Sequence, residues 1–478
     1  MIPENVLSIL ERLDNAGYPA YLVGGCVRDS IIGREVSDYD VTTSAPPDEV
    51  ERVFSDLRVI ETGIKHGTVT VISDGVPVEI TTFRRDGEYL DSRHPESVTF
   101  SDNVEDDLSR RDFTVNSVAM SRKGAIVDPF GGRDDMARRL IRCTGEPERR
   151  FKEDALRIIR ALRFASVLGF DIEEDTAASI HRNRALLEKV SVERVFTEFK
   201  KLLCGKNVFK ILTEYSDVIC TIIPEMEKCV GFDQKNRYHI YDAYTHIAKT
   251  VEAIEPDKVL RLTMFLHDIG KPYCFTEEES GVRHYRGHPA VSADIAKEWL
   301  RRMRADNETV RLVSLLCSLH DRPLNATKKA VKRLFKILSL DEIIMLCKVK
   351  KADSSAHSAL GTAWGDTADE VIKIAQEIVD DKECLSRKDL AVKGDDLIAL
   401  GYSGRQIGEA LQTLLDLVIE EALPNERAAL TEYLQSGKDG KLKINPKQFR
   451  VQSEDKLVRA AMIRKSQKDD VSITDTNR

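Results

Sequence analysis

The sequence predicts an α+β fold, with a small mixed sheet near the N-terminus and helices through the rest of the chain. Segments 67–72 and 76–82 alternate apolar and polar residues on either side of Ser-Asp-Gly, as the strands of a hairpin do. Helical spacing of apolar residues predicts an amphipathic helix over residues 5–17, with a stripe of Val6, Ile9, Leu10 and Leu13. Further along, Leu156, Ile159 and Leu162 recur at helical spacing, and a similar spacing returns between residues 407 and 418. We therefore expect the strands to lie mainly in the first part of the chain.

Length and composition indicate a multidomain protein. At 478 residues the chain is too long for one core, and we expect three or four domains. No stretch approaches the roughly 20 apolar residues of a membrane span, and the first residues lack the basic-then-apolar form of a signal peptide. The nine cysteines include no C-x-x-C pair, which argues against a disulfide framework and against a zinc ribbon. We expect a cytoplasmic protein without a membrane partner.

The net charge of −8 disfavours a nucleic-acid partner at first sight, but the charge is unevenly distributed. Residues 133–163 hold 10 Lys/Arg against 6 Asp/Glu, and residues 437–478 hold 11 against 6. Phosphate contacts act locally, so either region can bind RNA despite the acidic total. Solvated helix faces would give the same counts.

The segment Gly24-Gly25-Cys-Val-Arg28-Asp-Ser, followed by Asp38-Tyr-Asp40, predicts an anion site beside a metal site. Paired glycines after an apolar strand let the backbone approach a phosphate, and a following helix presents its N–H groups there. We place Asp38 and Asp40 on the next strand, where residues two apart share a face. Two such carboxylates suit Mg²⁺. A D-x-D pair alone is more often a solvated pair of loop acids.

Two further motifs follow. Arg110-Arg111-Asp112-Phe-Thr-Val-Asn116 offers guanidinium forks for triphosphate oxygens, although Asp112 could instead cap a helix. In Glu153-Asp154-Ala-Leu-Arg157 the carboxylate can accept from the amino group of cytosine or adenine, while the arginine donates to the ring acceptors. Uracil and guanine place a carbonyl where the amino group would be. The alternative is an ordinary i,i+3 surface ion pair on one continuous helix.

Taken together, these segments resemble the class II nucleotidyltransferases of the polymerase-β superfamily, which are the tRNA CCA-adding enzymes and bacterial poly(A) polymerases. The resemblance is dense over residues 20–205 and looser over 236–435. It implies a polymerase-β-like head, Mg²⁺ as its cofactor, and tRNA, CTP and ATP as partners rather than DNA. Asp38 and Asp40 are implied as catalytic, and the implied nucleotide-binding residues are Gly24, Gly25, Arg28, Arg111, Asp112, Asn116, Asp154, Arg157, Arg160 and Arg163.

Three neighbouring features are interpreted through the same resemblance. Segment 86–95 is similar to the family's flexible loop, which helps the site switch from C to A addition. Glu79 is a candidate third carboxylate, although an exposed strand glutamate is the more common outcome. Ser191 is expected to begin a helix in which Arg194 or Glu198 braces the nucleobase-selecting helix.

A second set of residues, rich in histidine, begins near residue 236. Imidazole and carboxylate together suit a divalent transition metal, whereas a single histidine is more often a packed or capping residue. The series resembles the HD phosphohydrolase domain, whose minimal ligand set matches His246, His267, Asp268 and Asp353. His288 and His320 would complete a two-metal set. Such sites activate water to attack phosphoesters.

We therefore expect five regions: a catalytic head over 1–140, a helical neck over 141–205, an HD-containing body over 206–385, a helical tRNA-contacting region over 386–436, and a basic, disordered tail over 437–478. The predicted function is template-independent addition of CCA to tRNA 3′ ends. The alternatives are a bacterial poly(A) polymerase, an HD-type nucleotide hydrolase with a head that only binds nucleotide, and a non-catalytic RNA-binding module.

Overall fold

The computed structural model describes residues 2–64, 67–87, 98–358 and 365–438. The chain forms two compact units, Met1–Glu227 and Lys228–Arg478. The predicted head and neck fall within the first unit, and the five predicted regions remain a proposal. Most of the predicted loop at 86–95 and almost all of the predicted tail at 437–478 lie outside the described residues.

A mixed sheet organises the first unit. The strands of this unit are β1 Ala20–Val23, β2 Asp40–Thr43, β3 Arg58–Gly63, β4 Thr68–Ser73, β5 Val76–Thr82, β6 Arg84–Asp86, β7 Val98–Phe100, β8 Ala119–Ser121, β9 Ile126–Val127, β10 Leu140–Ile141 and β11 Asp171–Ile172. Seven of these strands form one sheet in the order β3-β4-β5-β2-β1-β8-β9, in which β2 and β5 pair in parallel. The two strands of the predicted hairpin are β4 and β5, joined through Asp74 and Gly75, which both have positive φ.

Helices cover the sheet and complete the first unit. The amphipathic α1 buries Val6, Ile9, Leu10 and Leu13, the stripe that its sequence predicts. The helices are α1 Glu4–Asn15, α2 Gly25–Ile31, α3 Pro47–Val53, α4 Val104–Ser109, α5 Gly132–Arg138, α6 Pro147–Glu153, α7 Leu156–Leu168, α8 Glu174–Asn183, α9 Val192–Leu203, α10 Val208–Glu214 and α11 Ser216–Ile222.

Two local predictions in this unit are wrong. Asp38 is not in a strand: pairing between β1 and β2 ends at Val23 and Asp40, so the chain before Asp40 has no strand partner on that side. The predicted continuous helix through Asp154 is interrupted. Asp154 is extended, with φ −141° and ψ 104°, and its Oδ1 accepts a hydrogen bond from Leu156 N at 3.1 Å. This side chain thus satisfies an N–H group at the start of α7.

Helices make up nearly all of the regular secondary structure in the described part of the second unit. Its helices are α12 Ala243–Ala253, α13 Lys258–Leu266, α14 Lys271–Cys274, α15 His288–Arg302, α16 Asn307–Leu319, α17 Lys328–Phe335, α18 Leu340–Ser355, α19 Ala368–Asp380, α20 Gly394–Ala399, α21 Arg405–Ile419 and α22 Arg427–Lys438. A short hairpin joins β12 Thr276–Glu277 to β13 Arg283–His284. Of the helices described in either unit, none has both the length and the apolar character that crossing a membrane requires.

Candidate active site

The glycine turn, Arg111 of the arginine motif and Asp40, one of the two candidate metal ligands, meet at the end of β1. Gly24 has φ 77° and ψ −131°, a conformation that side chains rarely allow. A Cβ placed on Gly24 would lie 3.1 Å from Nη1 of Arg111 and 3.8 Å from Oδ2 of Asp40. Glycine is therefore required here both for its backbone dihedrals and for the close approach of these two side chains.

Asp40 has two other carboxylates, Asp38 and Glu79, near enough to affect its pKa. Asp40 is half-buried, and Glu79 is its register partner on the parallel strand β5. Burial raises the pKa of Asp40, and the charges of Glu79 and Asp38 raise it further against the opposing effect of Arg111. Asp38 and Glu79 are exposed, so Glu79 is both an exposed strand glutamate and a neighbour of Asp40. Carboxylate oxygens that repel each other in this way fit a hard divalent cation.

A chain of hydrogen bonds connects α2 to α7 through the arginine motif. Nη1 of Arg28 donates to Oδ1 of Asn116 at 2.7 Å, and Nδ2 of Asn116 donates to Oδ1 of Asp112 at 3.0 Å. Nε of Arg160 donates to Oδ2 of Asp112 at 2.8 Å. Burial alone would raise the pKa of Asp112, but the charge of Arg160 and the bond from Asn116 lower it to about 2. Asp112 also accepts from the N–H of Phe113, but Phe113 holds the N-cap position of the short 3-10 turn 114–116 and no side chain caps it, so the capping alternative for Asp112 is wrong.

Glu198 on α9 contacts Arg163 on α7, which is the bracing role expected for Glu198. Nε of Arg163 lies 2.5 Å from Oε2 of Glu198, and the guanidinium carbon of Arg163 lies 3.7 Å from the ring centroid of Phe164. Burial lowers the pKa of Arg163 to about 10. Arg160 and Arg163 both point to carboxylates of the protein, and their contact with nucleotide stays a prediction.

Asp154 and Arg157 lie in the same region, each with its own protein partner. Nη2 of Arg194 lies 3.2 Å from Oδ2 of Asp154, which is the bracing contact expected for Arg194. Nη1 of Arg157 donates to Oε2 of Glu153 at 2.9 Å, and Nη2 donates to the carbonyl of Arg110 at 3.0 Å. Arg157 is 7% exposed, so Asp154 and Arg157 do not form the surface ion pair that was the alternative interpretation. Ser191 stands at the N-cap position of α9, but its side chain makes no capping bond.

All six histidine and aspartate residues predicted for the second site lie together in the second unit. They form two groups that share Asp268, and within each group the candidate ligand atoms lie within 4.8 Å of one another: His246, His267, Asp268 and Asp353; Asp268, His288 and His320. All six are buried. Burial would lower the pKa of His267, but Asp268 and Asp353 raise it to about 10. This surplus of negative charge is what a bound cation would neutralise, so the donor set fits a divalent metal.

A cavity of about 230 Å³ adjoins the six-residue cluster and contains residues that the sequence interpretation missed. His239 and His357 line it, with ring centroids 4.5 Å apart. Lys271 also lines it, and its Nζ lies 2.6 Å from Oδ2 of Asp268. Lys271 could have been predicted from the sequence, because it lies three residues after Asp268. His239 has no such spacing from a predicted ligand.

Models of known protein families match residues in each of the two units. A family model described as the poly A polymerase head domain matches residues 20–142, and one described as the probable RNA and SrmB-binding site of polymerase A matches residues 169–227. A third, described as a putative tRNA nucleotidyltransferase domain 2, matches residues 294–434. The three models thus match parts of the predicted head, neck, body and C-terminal region.

Individual relatives match over different lengths. The CCA-adding enzyme of Geobacillus kaustophilus is 50% identical over 214 residues, which are 45% of this chain and 52% of that enzyme, so the chain spans about half the length of this relative. The crystal structure of Bacillus stearothermophilus CCA-adding enzyme in complex with CTP is matched at a TM-score of 0.70 and 30% identity, covering 92% of this chain and 99% of that one. The CCA-adding enzyme of Bacillus velezensis is 33% identical over 434 residues, which are 90% of this chain and 97% of that enzyme. Because this similarity extends over almost the whole of both proteins, the chain belongs to the family of CCA-adding enzymes.

Proposed function

We propose that this protein adds CCA to tRNA 3′ ends from CTP and ATP, without a nucleic-acid template and with release of pyrophosphate. The observation that carries the proposal is the convergence of Asp40, Arg111 and the Gly24 turn at the end of β1. A carboxylate for a metal ion and a cation for phosphate thus meet at a backbone turn that leaves room for both. The similarity to the CCA-adding enzyme of Bacillus velezensis over almost the whole chain supports the same function.

The triphosphate would lie over the Gly24-Gly25 turn. Arg111 would supply a guanidinium donor there. Arg28 donates to Asp29 and to Asn116, which in turn donates to Asp112, so a phosphate would have to replace one of the bonds of Arg28. A divalent cation bound by Asp38 and Asp40, with Mg²⁺ the ion suited to oxygen ligands, would lower the pKa of the tRNA 3′-hydroxyl and neutralise the leaving pyrophosphate. Glu79 would support Asp40 as a third carboxylate, because the two residues are register partners on neighbouring strands.

Base selection would fall to Asp154 and Arg157. A carboxylate accepts from the amino group of cytosine or adenine and meets the carbonyl of uracil or guanine acceptor to acceptor. Both side chains are already bonded to protein groups, so a base would replace Arg194 at Asp154 and Glu153 at Arg157. These protein partners would keep the buried charges compensated while the site is empty.

Nucleotide addition to a tRNA that ends at the discriminator base tests this proposal. With Mg²⁺ and CTP alone we expect two additions, and with CTP and ATP together we expect three additions followed by arrest. A long tail from ATP alone would instead identify a poly(A) polymerase. Absence of any incorporation by folded protein would overturn the proposal.

We propose a second activity, metal-dependent phosphoester hydrolysis, for the HD-like cluster in the second unit. The observation that favours it is the pair of ligand groups sharing the buried Asp268 beside a cavity that holds Lys271 and Arg286. The metals would activate water, and the two cations would bind a phosphate. Hydrolysis of p-nitrophenyl phosphate by protein loaded with Mn²⁺, Co²⁺ or Ni²⁺, and its loss in Asp268→Asn, tests this activity. Equal hydrolysis by both proteins would contradict it.

A further inference from the structure

A buried carboxylate lies behind the phosphate-binding arginine and is not itself part of the site. Asp107, on α4, is 0% exposed. Its Oδ1 accepts from Nε of Arg110 at 2.9 Å and from Nη2 of Arg110 at 2.6 Å, while its Oδ2 accepts from Nη2 of Arg111 at 3.1 Å. Thr42 Oγ1 lies 3.2 Å from the same Oδ2. One side chain thus joins both arginines of the motif to strand β2.

Thr42 connects Asp107 to the strand that carries Asp40. Thr42 is fully buried on β2, two residues after Asp40, which begins the strand. Asp107 therefore connects the strand that carries the metal-site carboxylate to the side chain that faces the glycine turn. Burial alone would raise the pKa of Asp107, but the charges of Arg111 and Arg110 lower it below its ordinary value, and the carboxylate remains ionised at neutral pH.

The two arginines use Asp107 differently. Arg110 makes a two-nitrogen contact with Oδ1, whereas Arg111 makes a single contact with Oδ2 and directs Nη1 toward Gly24. Nε of Arg111 is buried and has no hydrogen-bond partner in the described part of the chain. Nη1 of Arg111, which faces the Gly24 turn, is the donor that an anionic ligand there would engage.

The backbone of the motif is fixed independently of Asp107. The carbonyl of Arg111 accepts from Nη2 of Arg150 at 3.1 Å, and the carbonyl of Arg110 accepts from Nη2 of Arg157 at 3.0 Å. Loss of the Asp107 charge would therefore free the Arg111 side chain while these main-chain contacts remain. We therefore expect loss of the Asp107 charge to weaken nucleotide binding locally and to leave the backbone of the motif in place.

We propose that Asp107 is a positioning residue that holds the Arg111 guanidinium over the Gly24 turn, in register with the strand of Asp40, so that Arg111 meets the triphosphate without first having to be ordered. The inference rests on the proposed nucleotidyltransferase function and deepens it. An arginine held in advance loses less conformational freedom on binding, so the benefit appears mainly as nucleotide affinity.

The test is a double-mutant cycle with separate readouts of KM and kcat. Asp107→Asn keeps the shape and removes the charge; we expect KM for CTP and ATP to rise about tenfold while kcat changes less than about threefold. In an Arg111→Ala background the same substitution should change KM by less than about twofold, because the residue through which it acts is gone. Equilibrium binding of CTP to the full chain should weaken in parallel.

Asp135→Asn is the matched control. Asp135 is 4% exposed and pairs with Arg142 and Thr114, the same residue types that surround Asp107. We expect this variant to lower the melting temperature and to leave KM unchanged. An equal rise in KM in Asp135→Asn, or an Asp107 effect that persists without Arg111, would overturn the positioning role and leave a general effect on folding.

The proposal can still be tested if Asp107→Asn does not fold or if the parent protein adds no nucleotide. If Asp107→Asn does not fold, Asp107→Glu keeps the charge but displaces Arg111 by about one methylene, and must then raise KM in the same way; an unchanged KM contradicts the proposal. Absence of nucleotide incorporation by the folded parent protein would overturn the proposed function instead, and CTP binding by the same variants would still decide the role of Asp107.

Discussion

Asp40 and Glu79 are register partners on the parallel strands β2 and β5, so their carboxylates lie side by side on the same face of the sheet. The charge of Glu79 is the largest cause, after burial, that raises the pKa of Asp40. The site therefore holds an acidic group that is costly to ionise in the absence of a cation. This relationship has consequences both for pH dependence and for stability.

The first prediction concerns the acid limb of the pH profile. Asp40 must be ionised to bind a metal, so kcat/KM should fall as the pH drops through its raised pKa. Glu79→Gln removes a negative neighbour, lowers the pKa of Asp40 and should shift the acid limb to lower pH at a fixed Mg²⁺ concentration. Glu61→Gln, an exposed strand glutamate on β3, is the control. An acid limb that stays in place or moves to higher pH would contradict the assignment.

The second prediction separates activity from stability at Asp40. Its pKa is raised in the folded state, so the folded protein binds the proton more tightly than the unfolded chain, and ionised Asp40 lowers stability at neutral pH. Asp40→Asn should therefore raise the free energy of unfolding at pH 7, measured by urea denaturation in EDTA.

The same substitution should lower nucleotide addition by at least about a hundredfold, or roughly 3 kcal/mol in the barrier. Asp102→Asn at an exposed position should change neither quantity. A less stable Asp40→Asn protein would show that the carboxylate is compensated by contacts other than a metal.

The third prediction concerns base choice. Asp154→Asn adds an N–H donor where the parent side chain only accepts, so the carbonyl of uracil or guanine becomes acceptable. The ratio of kcat/KM for CTP to that for UTP should fall by about tenfold or more. Asp171→Asn, at an exposed aspartate paired with Lys210, serves as the control. If the ratio is the same in all three proteins, base selection lies elsewhere.

The fourth prediction concerns the HD-like cluster. After dialysis against Mn²⁺, elemental analysis should find bound metal in the parent protein and a loss of metal in Asp268→Asn, because Asp268 belongs to both ligand groups. His181→Gln, at a histidine outside the cluster, should retain the metal. CCA addition should survive in Asp268→Asn, since the proposed transferase residues lie in the first unit. Full metal retention by Asp268→Asn would rule out the shared-ligand arrangement.

The sequence predicted those features whose cause is local. The glycine turn, the hairpin through Asp74 and Gly75 and the stripe of α1 depend on residues close together in the chain, and each is confirmed. The family resemblance is confirmed by the matched relatives. The spatial grouping of the six histidine and aspartate residues also agrees with their expected association.

Other features depend on contacts that sequence spacing does not contain. Asp38 leaves the strand because its neighbour β1 has ended, and Glu79 reaches Asp40 only because β5 pairs in parallel with β2. The chain breaks at Asp154, where a side chain satisfies the N–H of Leu156. Asp107 has the i,i+3 and i,i+4 spacing of a surface ion pair with the two arginines, and only burial against Thr42 makes it an internal link.

We propose above that one protein site specifies the sequence C-C-A without a template. To test this, the purified protein is incubated with Mg²⁺, all four nucleoside triphosphates at equal concentration and a tRNA that ends at the discriminator base, and the 3′ ends are then sequenced. We expect a single product that ends in C-C-A and is not extended further. Incorporated U or G, a run of A, or ends that stop after two cytidines would contradict it.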